Sequence, residues 1–262
     1  MKKLTLSALA ALALASAGGV APTIATAEEQ LTIRWGTSPG YRPFIYKNAD
    51  GSLTGFDYEI GAALCAEMNA ECSWVEQAWD GIIPGLVAEN YDAILASMSV
   101  TEERQQVVDF TRTYQNAPSR FVAAEGTEID DTGSLDGITT GVQRGSTHQD
   151  LIEARFPDAT IRAYPTQDEV WLDLTAGRID ATFTSSLVAD GWLKGDEADG
   201  FTMIGQDYRD PEILGAGEAI AVRKGDNDLR ERISAAIDAI RESGEYQRIN
   251  AQYFDFDIFG QD

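Results

Sequence analysis

The sequence has little of the chemistry that most metal and catalytic centres need. One His and two Cys among 262 residues leave too little material for most His- or Cys-based metal sites, or for a framework of disulfides. Positive charge is scarce as well. Lys plus Arg number 20 against 43 Asp plus Glu, a formal net charge of −23. That balance argues against nucleic acid, whose binding needs cationic side chains to displace counterions. It also argues against an anionic membrane surface. There is no H-E-x-x-H, P-loop or G-x-G-x-x-G pattern. Gly215-Ala216-Gly217 is too short to cradle phosphate, and His148 has no patterned nucleophile beside it. No cofactor and no metal are expected, and nothing in the residues demands an enzyme.

Long apolar runs are absent too, with one exception at the start. Lys2 and Lys3 precede Leu4–Val20, which is apolar except for small residues, and Ala25-Thr26-Ala27 supplies an A-x-A cleavage box. That order reads as a secretory signal peptide over residues 1–27. Gly18, Gly19 and Pro22 interrupt the run, and no Cys follows to carry a lipid. The mature chain is therefore expected to be exported and soluble. In an oxidising compartment Cys65 and Cys72, seven apart, are expected to form a local disulfide joining a helix end to the next strand.

What remains alternates strand and helix signals. Leu31–Gly36, Ser73–Glu76 and Asp92–Met98 read as strands, and Asn48-Ala49-Asp50-Gly51 as a hairpin turn. Phe56, Ile60, Leu64 and Met68 recur at helical spacing, and Trp79–Ala88 reads as a helix despite Pro84. Beyond the polar 125–137 segment the rhythm restarts: strands at Thr139–Val142, Thr160–Tyr164 and Asp180–Phe183, helices at His148–Phe156, Asp168–Ala176 and Ser186–Lys194. Arg120–Ala124 and Glu218–Val222 read as further strands. Leu229, Ile233, Ile237 and Ile240 mark a long amphipathic helix opened by Asp226 or Asn227. The pattern implies α/β units, each a largely parallel sheet covered by helices.

Two polar strand-to-helix turns stand out. In Ala96–Arg104 a buried strand ends in Ser97, Ser99 and Thr101, with Arg104 in the first helical turn. An Arg there is electrostatically misplaced unless an anion joins it, and its planar fork suits a carboxylate. Pairing with a surface acid, with Ser99 or Thr101 as a plain cap, remains open on the residues alone. In Gly141–His148 a strand runs through Gln143 and Gly145 into Ser146, Thr147 and His148, where an ordinary capped helix is the competing reading. Two such turns, one per unit, could face each other across a cleft at the carboxyl ends of the strands. Tyr41 and Trp79 follow strands of the first unit and could wall a ligand there. Trp171, Trp192 and Tyr164 read as packing.

These blocks resemble the family 3 periplasmic solute-binding proteins. The likeness runs through Gly36–Phe44, Asp50–Asp57, Trp79–Leu86, Tyr91–Ile94, Ser97–Arg104 with Asp109-Phe110-Thr111 and Tyr114, Leu174–Ala181, and Tyr253–Asp257. Within the family, the lysine/arginine/ornithine-, histidine- and opine-binding branch has paired cysteines that match Cys65 and Cys72. The resemblance implies a type II periplasmic binding fold of two lobes with two hinge crossovers. Lobe 1 would be 28–116 with 217–262, and lobe 2 would be 117–216. It implies a monomeric periplasmic subunit of an ABC transporter that closes on a zwitterionic amino acid or derivative and hands it to a membrane permease.

By the same resemblance Arg104 would clamp the ligand carboxylate, helped by Ser99 and the turn at Ser146 and Thr147. Tyr41 and Trp79 would wall the ligand, with Ser97, Gln143 and His148 around it. The chain departs at Ser38 and Ser185, where the branch has acids that meet the cationic side chain and the α-ammonium. An opine, a secondary amine with a second carboxylate, is thus an alternative ligand. A cyclohexadienyl dehydratase-like enzyme is an alternative of another class, but no acid can be assigned to a leaving hydroxyl from the residues alone.

Overall fold

Apolar side chains spaced for one helical face decide where the elements lie against the sheets. The computed structural model describes residues 30–129 and 134–259. The signal-peptide expectation over 1–27 lies outside those residues, as does part of the polar 125–137 segment. No described helix is long and apolar enough to cross a membrane.

Strand β1 (Thr32–Thr37) leads through a small hairpin, β2 (Tyr46–Lys47) and β3 (Leu53–Thr54), into helix α1 (Phe56–Glu67). Next come β4 (Glu71–Glu76), a 3-10 turn (Trp79–Gly81) and α2 (Ile82–Val87). The expected single helix over Trp79–Ala88 is thus two pieces. Pro84 falls in the first turn of α2, where its missing N–H would have had no helical partner. Then follow β5 (Ala93–Ser99), the one-turn α3 (Glu102–Gln105) and β6 (Val108–Gln115). The chain crosses into β7 (Ser119–Ala124), β8 (Thr139–Gln143), α4 (Thr147–Arg155), β9 (Thr160–Tyr164) and α5 (Gln167–Thr175). It continues through β10 (Ala181–Ser185), α6 (Ser186–Leu193) and β11 (Phe201–Tyr208). It then returns as β12 (Glu218–Arg223), α7 (Asn227–Glu242) and α8 (Glu245–Tyr253). Strands β6 and β11 are not among the strands expected from the sequence. Their polar alternation, as in Val108-Asp109-Phe110-Thr111, is stabilised by pairing with β12 and β7.

The strands form two five-stranded sheets, in the orders β4-β1-β5-β12-β6 and β11-β7-β10-β8-β9. In the first, β1 runs parallel to both β4 and β5, and β12 runs antiparallel to β5 and β6. In the second, β8 runs parallel to both β9 and β10. In each sheet the chain winds outward from a central strand and then returns to its other side. The topological switch therefore lies between β1 and β5 in one lobe and between β8 and β10 in the other. Crevices at such switches, beyond the carboxyl ends of the strands, are where open α/β sheets bind ligands.

The first lobe packs around Trp35, Phe44, Phe56 and Tyr246, against which α1 places Ile60 and Leu64 and α7 places Ile233, Ile237 and Ile240, all buried. Asp226 caps α7 by accepting from the Leu229 N–H. Cys65 and Cys72 are joined as a disulfide that ties α1 to β4, and the Trp35 indole donates to the Cys65 sulfur at 3.1 Å. In the second lobe Trp171 and Trp192 stack with centroids 4.2 Å apart, as packing residues should.

Candidate functional site

Both polar turns are built as helix entrances. Thr101 accepts a hydrogen bond from the Arg104 N–H at 3.2 Å, so Thr101 rather than Ser99 caps α3. Ser146, not Thr147, caps α4 by accepting from the Gln149 N–H at 3.2 Å. The turns face each other, and a narrow cavity of about 20 Å³ lies between them. The first lobe contributes Ser38, Tyr41, Trp79, Ser97, Ser99 and Arg104 to its wall; the second contributes Gln143, Ser146, Thr147 and His148. Ser185 does not reach this cavity. It lines an adjoining one of about 260 Å³ that runs along the crossovers and shares Ser99, Thr147 and His148 with the first.

The two walls touch. The Trp79 indole donates to the Gly145 carbonyl at 3.0 Å, and the Asp168 N–H donates to the Gly40 carbonyl at 3.2 Å. Arg144 and Asp80 form an ion pair at 3.8 Å, but each is about half exposed, so it contributes little. The lobes are therefore closed on one another.

Arg104 is the principal fixed positive charge of the cavity. Its Nη1 donates to the Ser99 carbonyl at 3.0 Å, and its guanidinium lies 5.4 Å from the centre of the Trp79 ring. It forms no ion pair among the described residues. Burial pulls its pKa down, against the attraction of Asp150, Glu103 and Glu218 nearby. A half-buried guanidinium with most donors unspent favours an anion. His148 does not add a second positive charge. Burial, helped by Arg104, holds its pKa down at about 4, and its Nε2 meets the Ser119 hydroxyl at 3.0 Å. Tyr41 stacks on Phe44 at 6.0 Å, and burial raises the pKa of its phenol.

Nothing in the residues around Ser97 signals its conformation. Its φ is +50°, left-handed for a residue with a Cβ, which costs on the order of 1 kcal/mol. Three hydrogen bonds of its own and one between its partners hold it. Its N–H donates to the Tyr114 hydroxyl at 3.1 Å, its hydroxyl donates to Asp57 at 2.9 Å and accepts from Gln115 at 2.9 Å, and Tyr114 donates to Asp57 at 2.9 Å. Burial, opposed by those donors, raises the Asp57 carboxyl to about 6.

Sequence reasoning assigned no role to Asp57, Gln115 or Glu218. Asp57 stands inside a motif block, but only the fold brings it under Ser97. Glu218 left one sign: an acid opens the otherwise apolar Ala219–Val222. Glycines at the crossover are also structural. Gly215 has φ +87°, and a Cβ there would lie 2.5 Å from the Val100 carbonyl oxygen. Gly215-Ala216-Gly217 is thus a close backbone approach beside the cleft.

Two α/β lobes with a polar cavity between the switch points of their sheets define a cleft-type binding protein. The chain belongs to the bacterial extracellular solute-binding proteins, family 3, whose model matches residues 33–256. It is 44% identical to the L-arginine-binding protein of Pseudomonas aeruginosa, over 99% of each chain. It is 40% identical to the histidine-binding periplasmic protein of Salmonella typhimurium, over 99% of this chain and 100% of that one. Among solved structures, it is similar to an arginine-specific periplasmic binding protein of Salmonella typhimurium. That match has a TM-score of 0.80 and 31% identity, over 86% of this chain and 99% of that one.

Proposed function

We propose that the protein is the extracytoplasmic substrate-binding subunit of an ABC importer and that it captures an amino acid between its lobes. One observation carries this reading: Arg104, half-buried and with no ion-pair partner among the described residues, faces a cavity walled by both lobes. Arg104 holds the ligand α-carboxylate through its fork, with the Thr147 turn and Ser99 supplying further polar contacts. Tyr41 and Trp79 flank the ligand side chain. Lobe 1 is 28–116 with 217–262, lobe 2 is 117–216, and the crossovers act as the hinge. Binding energy favours the closed form, and the closed form docks on a membrane permease. No bond is made or broken.

The names of the relatives support an amino acid as the ligand and the periplasm as the compartment. The Cys65–Cys72 disulfide fits an oxidising compartment entered through a signal peptide over 1–27. A thermal-shift screen over the twenty L-amino acids and a set of opines tests the reading, because a ligand that binds only the folded state raises the melting temperature. A rise with at least one L-amino acid is expected. A response to opines alone, or to none of these compounds, would contradict it.

A further inference from the structure

An amino acid whose carboxylate meets Arg104 carries an ammonium on the adjoining carbon. That ammonium must lie close to Arg104, and a buried ammonium without an anionic partner is costly. The cavity beside Arg104 has no acid in its wall among the described residues. The adjoining cavity has two, Asp210 and Glu218. Asp210 is already paired with Arg155 and accepts from the Ile213 N–H. Asp57 is behind the wall, with one oxygen taken by Ser97 and the other by Tyr114.

Glu218 is different. Its Oε2 is buried and has no hydrogen-bond partner among the described residues. It opens β12 directly opposite Ser99 of β5, and Ser99 belongs to both cavities. Ser185, Thr147 and His148 line the same cavity as Glu218. We propose that Glu218 supplies the carboxylate that receives the ligand ammonium, so that the chain binds a zwitterion with Arg104 at one end and a hinge-strand glutamate at the other. This inference rests on the amino-acid reading above and goes further, assigning the ammonium to a residue of the crossover.

The surroundings of Glu218 give the proposal a second signature. Burial first, and then the negative charge of Asp57, raise its carboxyl to about 8, while Arg104 and Arg209 pull the other way. The nearby His148 is neutral at that pH. Glu218 therefore holds a proton at neutral pH, and an arriving ammonium displaces it. Binding is coupled to proton release.

The test uses the full mature protein, with L-arginine, L-histidine and L-lysine as probes, by titration calorimetry at pH 7 in two buffers of different ionisation heat. Wild type is expected to release about one proton on binding. Glu218→Gln should release none and bind about 30-fold or more weakly. Glu218→Asp, which keeps the charge, should retain proton release. With 5-guanidinopentanoate, which is L-arginine without its α-amine, wild type and Glu218→Gln should bind alike. Wild-type affinity and proton release in Glu218→Gln would overturn the inference and leave the amino-acid reading standing. Failure of wild type to bind these three probes or any other of the twenty L-amino acids would overturn both. Conversion of prephenate to phenylpyruvate by wild type but not by Glu218→Gln would overturn it in favour of an acid catalyst.

Discussion

The Trp79 indole nitrogen and the Gly145 carbonyl oxygen, 66 residues apart in sequence, meet at 3.0 Å across the cleft. The same indole lies beside the Arg104 guanidinium, so one side chain both latches the lobes and walls the cavity. Trp79→Phe keeps an aromatic wall and removes the donor. Loss of one such bond costs about 1 kcal/mol. The expected result in stopped-flow fluorescence is ligand dissociation several-fold faster, with a smaller change in association. An unchanged off-rate would show that the bond does not hold the closed form.

Glu218 also predicts a pH dependence of stability. Its carboxyl titrates near 8 in the folded chain against an ordinary value of 4.5. Between those values the folded state binds more protons than the unfolded one, so stability falls as pH rises from 4.5 to about 8. His148, held at about 4 against 6.5, has the opposite effect and loses stability as pH falls through that window. Glu218→Gln should therefore gain melting temperature relative to wild type as pH rises from 5 to 8. A difference that is constant over pH would reject the buried, protonated glutamate.

At Gly215 an added Cβ meets the Val100 carbonyl oxygen in a left-handed backbone. Gly215→Ala is expected to destabilise the fold by about 1–3 kcal/mol and to weaken ligand binding, since Val100 follows Ser99 directly. Urea denaturation beside a ligand titration measures both. A fully stable variant would mean that the crossover relaxes freely.

The Cys65–Cys72 disulfide closes a short loop, so its removal should cost about 2 kcal/mol. Comparing urea midpoints of the Cys65→Ser/Cys72→Ser variant and wild type checks this. An unchanged midpoint would show that packing of α1 on β4 suffices.

Much of this was legible in the residues, because strand and helix periods differ and both lobes repeat the same βαβ pattern. The polar ends of β5 and β8 pointed to a cleft, and Arg104 stood out because a cation at a helix entrance is unfavourable unless partnered by an anion. What the sequence could not supply was whatever depends on long-range approach. Asp57 reaches Ser97 only after α1 docks on β5, 40 residues later. Glu218 reaches Ser99 only when β12 returns from the second lobe. Ser185, by contrast, has a plain position in the chain, but the fold places it in the adjoining cavity, with Ser99, Thr147 and His148 but without the other seven candidates in its wall.

The most direct test of the central claim is titration calorimetry of wild type, Arg104→Ala and Arg104→Lys with an L-amino acid that wild type binds. If the guanidinium clamps the carboxylate, Arg104→Ala should lose about 2–5 kcal/mol of binding free energy. Arg104→Lys, which keeps the charge without the fork, should fall between the two. Affinity near that of wild type in Arg104→Ala would contradict the account.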